Sequence, residues 1–261
     1  MATIRNRVKE RLAAGEMALG IGIRQARTPD IAKAMKTAGF DWLFLDMEHS
    51  AFGVDTVTSL AVATQDAGLT PVARVPGPEH YHATRLLDCG VQGIVLPHCD
   101  TADDAARVVA NTKYPPIGKR SVGGPAPQLD FAPLPVAEMT KAVNEATLTI
   151  ALIESKQAVD NCEKIAATPG IDALLIGTND LCMDMGMPGQ VGDPKVAEIY
   201  QRVIKAARSN GKHPGFGGVY EPALMQKYVG LGMHLVLCGS DLSLLMLAGK
   251  QRTDLLRASK A

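Results

Sequence analysis

Residues 39–49 read Gly-Phe-Asp-Trp-Leu-Phe-Leu-Asp-Met-Glu-His, and this stretch decides the fold. The apolar run Trp42–Leu45, set between a glycine and charged residues, suits a parallel strand covered on both faces. It ends in Asp46, Glu48 and His49. Three ionisable groups at the edge of a core are costly unless they are paired, hydrated or engaged in chemistry.

Seven further β-like runs resemble it: Met17–Ile23, Thr70–Val75, Gly93–Pro97, Thr147–Ile153, Ala173–Ile176, His213–Val219 and Leu235–Cys238. Amphipathic segments at 28–38, 54–67, 79–89, 101–112, 155–167, 194–210, 221–230 and 241–258 separate them. Thr28-Pro29-Asp30 is a helix start, and Ala38-Gly39 and Cys89-Gly90 are helix stops. Strict βα alternation implies a parallel sheet, and eight units in 261 residues fit one (β/α)8 TIM barrel spanning 1–261. A doubly wound open sheet is the competing arrangement, because periodicity does not say whether the sheet closes. Residues 113–146, rich in proline, are predicted to be irregular: a lid or cleft wall, or else disordered.

Composition narrows the function. Hydrophobic residues make up 46 % and charged residues 21 %, with zero net charge, so nothing favours nucleic acid or an anionic membrane as partner. The charged first fifteen residues lack an apolar signal core and predict a surface helix. Five scattered cysteines without CxxC spacing argue against a disulfide framework or a zinc site and for a cytoplasmic protein.

In a barrel the carboxyl ends of the strands line the active site. Those positions hold Asp46, Glu48 and His49; Arg74; Pro97-His98; Glu154; Gly177-Thr178-Asn179-Asp180; Gly215 to Gly218; and Gly239-Ser240-Asp241. Glu154 and Asp180 end adjacent strands, within reach of one Mg²⁺ or Mn²⁺ completed by waters and substrate oxygens. Capping of the following helices is the alternative. Arg74, at the end of an apolar strand, suits an anionic oxygen, or a structural ion pair with Glu48 or Asp46. His49 lies three residues after Asp46, so a turn there allows the carboxylate to orient the imidazole as a base. Glycines at 177, 217 and 218 permit close backbone approach to a ligand, and the helix after Gly177 aims amides at an anion. No lysine lies inside any strand, which argues against Schiff-base chemistry and leaves a metal-stabilised enolate as the simpler mechanism.

The chain resembles the class II pyruvate-dependent aldolases of the HpcH/HpaI family. The resemblance covers nearly the whole chain. It rests on Phe40-Asp-Trp-Leu-Phe-Leu-Asp-Met-Glu-His49, Pro71-Val-Ala-Arg-Val75, Leu86-Leu-Asp-Cys-Gly90 and Val95-Leu-Pro97. It continues through Tyr114-Pro-Pro-Ile-Gly-Lys-Arg-Ser-Val-Gly123, Ile153-Glu154 and Ile176-Gly-Thr-Asn-Asp-Leu-Cys-Met-Asp-Met-Gly186. It implies a lyase that cleaves or forms 4-hydroxy-2-oxo acids, yielding pyruvate or a close 2-oxo acid and an aldehyde. It further implies Mg²⁺, Mn²⁺ or Co²⁺ at Glu154 and Asp180, Arg74 as the substrate arginine, and an Asp46–His49 dyad as base. The backbone of Gly177, Thr178 and Asn179 would cradle the pyruvate carboxylate. Asp88 would reach a neighbouring subunit's site in a trimer or hexamer with an exchanged C-terminal helix. Met47, Leu152 and Thr178-Asn179 depart from residues common in the family, which leaves the exact substrate open. The alternatives are a citrate-lyase-like acyl-CoA lyase and a non-catalytic 2-oxo-acid-binding barrel.

Overall fold

A computed structural model of the chain describes residues 4–259. Eight parallel strands follow in order: β1 (Ala18–Ile23), β2 (Trp42–Asp46), β3 (Thr70–Arg74), β4 (Gly93–Leu96), β5 (Leu148–Ile153), β6 (Ala173–Gly177), β7 (His213–Gly217) and β8 (Leu235–Ser240). Each pairs with the next, and β8 pairs with β1, so the sheet is a closed barrel rather than the open alternative. The strand limits agree with the sequence reading to within two residues.

Alternation along the strands explains both core layers. Leu43 and Leu45 point outward into the layer shared with the surrounding helices. Trp42, Phe44, Val72, Val95, Ile150, Leu152, Leu175 and Leu235 point inward and fill the barrel. Gly20 makes room for the largest of these: a Cβ there would lie 2.1 Å from the Trp42 indole. The indole Nε1 donates to the Ala18 carbonyl at 3.2 Å, so burial leaves no indole donor unpaired.

The N-terminal segment forms the expected helix, Arg7–Ala13, but not only as a surface element. Its Val8 and Leu12 join the interior cluster around Trp42, closing the amino-terminal end of the barrel. Asn6 caps the helix and its side-chain amide donates to the carbonyls of Gln92 and Ala146. The opposite end is therefore the one left open.

The region 113–146 departs from its predicted irregularity. Val136–Ala146 is a helix, and the loop before it packs Tyr114 and Leu129 against Met139 and Val143. Lys113 Nζ donates to carbonyls of Asn144 and Thr147, beside the amino end of β5. Gln128 donates to Leu87 and Val91 below β4. The segment is thus tied to the amino-terminal side of the barrel and does not wall the cavity at the carboxyl end. Among the described residues no helix is long and apolar enough to cross a membrane, and all five cysteines are free.

Candidate active site

The inward parity that fills the barrel runs on into the functional groups. Trp42 and Phe44 are followed by Asp46, Val72 by Arg74, Ile150 and Leu152 by Glu154, Gly20 and Gly22 by Arg24. These side chains leave the apolar interior at the carboxyl-terminal mouth. There they line a cavity of about 270 Å³ with His49, Gly177, Thr178, Asn179, Asp180, Tyr220 and Ser240.

Asp46 is the hub of one wall. Arg74 donates to both its oxygens, Nε to Oδ1 at 3.1 Å and Nη2 to Oδ2 at 2.7 Å. Arg24 Nε donates to Oδ2 at 3.0 Å, and the backbone amides of Glu48 and His49 donate to Oδ1 at 3.2 and 3.1 Å. Burial pushes the Asp46 carboxyl up, but the Arg74 hydrogen bonds and charge, the His49 amide and Arg24 outweigh it, so it lies below the usual carboxylate range. Burial alone would lower Arg74; Asp46, Glu48 and Glu154 overcome it and raise the guanidinium further. Arg74 is therefore a permanently charged, bidentately fixed cation facing the cavity.

The dyad expected between Asp46 and His49 is not formed side chain to side chain. Five donors already occupy Asp46, so it holds His49 through the peptide amide. The imidazole, half exposed, has Glu48 Oε2 as its nearest carboxylate oxygen at 3.9 Å. Glu48 also approaches Arg74 Nη1 at 2.9 Å, close enough for an ion pair but without hydrogen-bond geometry, since Oε2 is buried and unbonded. Its charge lies beside the Arg74 guanidinium.

Glu154 and Asp180 stand at the other wall, where β5 and β6 are adjacent. Glu154 is buried, and its Oε1 accepts the His98 backbone amide at 2.7 Å, with His98 Nδ1 at 3.3 Å. His98 reaches this position in the left-handed backbone region, φ 49°. Burial pushes the Glu154 carboxyl up to about 7; the His98 amide and ring act against that shift, and Asp180 and Glu48 add to it. Among the described residues Glu154 Oε2 accepts no hydrogen bond, and the Asp180 side chain makes neither a hydrogen bond nor an ion pair. Two facing carboxylates without a cation of their own fit a divalent ion held by oxygen ligands. No cluster of three or more ligating side chains exists among the described residues, so waters and substrate would complete such a site.

Gly177 is fitted to this pair. A Cβ at 177 would lie 2.8 Å from Glu154 Oε2 and 3.0 Å from its Cβ. Thr178 contributes only backbone to the cavity, because its hydroxyl is tied to the Gly217 carbonyl and the Tyr200 hydroxyl, both at 2.7 Å. Asn179 and Asp180 are exposed on the rim. Asp88 is not brought here: it accepts from Arg120 Nη2 at 2.5 Å and does not line the cavity.

Sequence reasoning passed over Arg24 and Tyr220 and gave His98 little weight. Arg24 was legible in principle, since it continues the alternation Gly20, Gly22, Arg24. The contact of His98 with Glu154 depends on a left-handed residue after Pro97, which no pattern signals.

Fixed cation, paired acids and close-packed glycine backbone in one small cavity define an α/β-barrel enzyme site. The chain belongs to the HpcH/HpaI aldolase/citrate lyase family, whose model matches residues 24–248. It is similar to the 4-hydroxy-4-methyl-2-oxoglutarate aldolase cghB of Chaetomium globosum, at 35 % identity over 93 % of this chain and 92 % of that one. It is also 35 % identical to a 5-keto-4-deoxy-D-glucarate aldolase of Salmonella arizonae, over 95 % of this chain and 94 % of the other. The crystal structure of an HpcH/HpaI aldolase from Desulfitobacterium hafniense superposes with a TM-score of 0.94 at 31 % identity, covering 98 % of this chain and 99 % of that one. The chain is a carbon–carbon lyase of the aldolase class, which favours aldol chemistry over the acyl-CoA alternative.

Proposed function

We propose that the cavity binds a 4-hydroxy-2-oxo acid and cleaves its C3–C4 bond reversibly, giving pyruvate or a close 2-oxo acid and a carbonyl partner. The observation that carries this is the pairing of Glu154 and Asp180 opposite an Arg74 fixed by two carboxylates. Glu154 and Asp180 would hold Mg²⁺ or Mn²⁺, with Co²⁺ a further fit to the same oxygen donors. When bound, such an ion supplies Lewis-acid polarisation and offsets negative charge developing on the 2-oxo acid.

This chain's own groups do the rest. The backbone at Gly177, Thr178 and Asn179 receives the substrate carboxylate, and Gly177 permits that approach. Arg74 keeps a positive charge facing the cavity without reorganising as the enolate forms. His49 takes the proton from the C4 hydroxyl as the C3–C4 electron pair moves onto C3, and a proton returned to C3 completes the 2-oxo acid. Asp46 serves this step by holding Arg74 and the turn that carries His49. Leu152, buried at the cavity floor, leaves this wall apolar where some family members place glutamine.

An exposed apolar helix belongs to the same reading. The helix Asp241–Ala258 buries none of its residues, leaving Leu245, Met246, Leu247, Leu255 and Leu256 exposed. We infer a homo-oligomer, trimer or hexamer, that covers this face and supplies Asp88 to a neighbouring site.

The reading is tested by following pyruvate release from a panel of 4-hydroxy-2-oxo acids with Mn²⁺ and with a chelator. Release that stops on chelation and returns with metal is expected; turnover indifferent to chelation would refute it. In the same assay His49→Ala should remove most cleavage while metal content stays near wild type. Metal uptake should also depend on pH. Ligation needs the carboxylate form, and Glu154 is protonated below about 7. Mn²⁺ affinity should therefore rise with pH up to about 7 and then level off. Titrations at three pH values check this, and a flat profile would contradict it.

A further inference from the structure

Arg24 is the cation in the cavity that the aldol reaction does not use. It follows β1 in the same inward parity that delivers Asp46 and Arg74. Its position is built at two points. The backbone amides of Arg24, Gln25 and Ala26 all donate to the Asp241 carboxylate, at 3.1, 2.9 and 2.8 Å, which fixes the loop. Its Nε donates to Asp46 Oδ2 at 3.0 Å, which aims the side chain across the mouth.

The two guanidiniums on Asp46 differ in what they leave free. Arg74 has every nitrogen within reach of a carboxylate, two on Asp46 and one beside Glu48. Arg24 has one nitrogen engaged, and among the described residues neither Nη meets an acceptor. The side chain is 36 % exposed and lines the cavity, so a two-nitrogen fork is open to a ligand. Asp46, already shared with Arg74, does not neutralise it.

Placement gives the fork a purpose. In the closed order β1 to β8, Arg24 ends a strand across the barrel from β5 and β6, which carry Glu154 and Asp180. The floor between the two walls is apolar, formed by Phe44, Leu152, Leu175 and Leu237. A molecule anchored by its 2-oxo-acid end near Gly177 would span that floor, with its far end toward β1.

Given the aldol reaction proposed for this cavity, we propose that Arg24 receives a second anionic group, a terminal carboxylate, on the carbonyl-partner half of the substrate. The planar fork matches a carboxylate with two parallel hydrogen bonds. Arg24 is then a specificity residue that sorts diacids from neutral-ended 4-hydroxy-2-oxo acids. A terminal phosphate offers related oxygen chemistry, and the test includes it.

Steady-state kcat/KM for pyruvate release is compared for three 4-hydroxy-2-oxo acids of equal chain length ending in carboxylate, phosphate or hydroxymethyl. Wild type, R24M and R24K are used, each loaded with Mg²⁺. The wild type should prefer the carboxylate end, and R24M should lower the carboxylate-to-hydroxymethyl ratio by about ten- to a hundredfold, mainly through KM. R24K, a charge without the fork, should keep part of the preference. Because the ratio is internal to each variant, partial loss of folded protein cancels. No preference in the wild type, or a ratio unchanged in R24M, overturns the role of Arg24 alone. A preference confined to the phosphate end overturns the assignment to a carboxylate. Release from none of the three by the wild type overturns the aldol reaction and this inference with it.

Discussion

Glu154→Gln is expected to lose tight Mg²⁺ or Mn²⁺ binding and to lower kcat/KM for pyruvate release by on the order of a thousandfold, since a catalytic metal supplies several kcal/mol. The substitution is nearly isosteric. The amide oxygen still accepts the His98 amide now bonded to Oε1, so local structure should persist. What disappears is the charge, and with it half of the acid pair. Stability should respond in the opposite direction to activity. The Glu154 carboxyl has an ordinary value of 4.5 and is pushed up to about 7 by burial, so between those values the folded state binds more protons than the unfolded one. This group therefore makes the metal-free protein less stable as pH rises through that window. Glu154→Gln should flatten that part of the profile, leaving the variant at least as stable as wild type at pH 8. Mn²⁺ titration, steady-state assay and melting curves check the three parts. Unchanged metal affinity would remove Glu154 from the site.

Arg74→Met carries the largest expected stability cost. The guanidinium is 10 % exposed and satisfies Asp46 bidentately while lying 2.9 Å from Glu48 Oε2. Removing it leaves Asp46 and Glu48 without their shared cation, with Arg24 and the backbone amides of Glu48 and His49 still on Asp46. Breaking a buried ion pair from one side typically costs about 3–5 kcal/mol, because the remaining charge is uncompensated. For a protein of this size that corresponds to a Tm lowered by roughly 10 °C. Activity should fall by at least about a hundredfold, as fixed positive charge is lost where the enolate forms. Arg74→Lys should recover part of the stability and less of the activity, since an ammonium cannot bridge Asp46 in two-point fashion. A melting temperature within a degree or two of wild type would show that Arg74 does not hold this wall together.

The barrel was legible because its signals are local and repeated. Short apolar runs such as Trp42–Leu45, closed by glycine or charge, recur eight times, and only the return of β8 to β1 needed coordinates. Asp46, Arg74, Glu154 and Asp180 were legible because they end those runs. How they pair was not. Asp46 has more donors around it than a sequence-based dyad allows for, and Arg24, which supplies one of them, sits in the polar stretch Arg24-Gln-Ala-Arg27 that reads as ordinary loop. Helix Val136–Ala146 was hidden by Pro133 and Pro135, which made the whole segment look irregular. Asp88 lies outside the cavity of its own chain, where it pairs with Arg120.

The most direct measurement is proton exchange at the methyl group of pyruvate alone, followed by NMR in D₂O with the Mg²⁺-loaded protein. It needs no knowledge of the carbonyl partner and reads enolate formation itself. Exchange is expected with Mg²⁺ present, and it should vanish on chelation and in Glu154→Gln. A methyl signal that stays undiminished with Mg²⁺-loaded wild type would contradict a cavity in which Glu154, Asp180 and Arg74 stabilise an enolate.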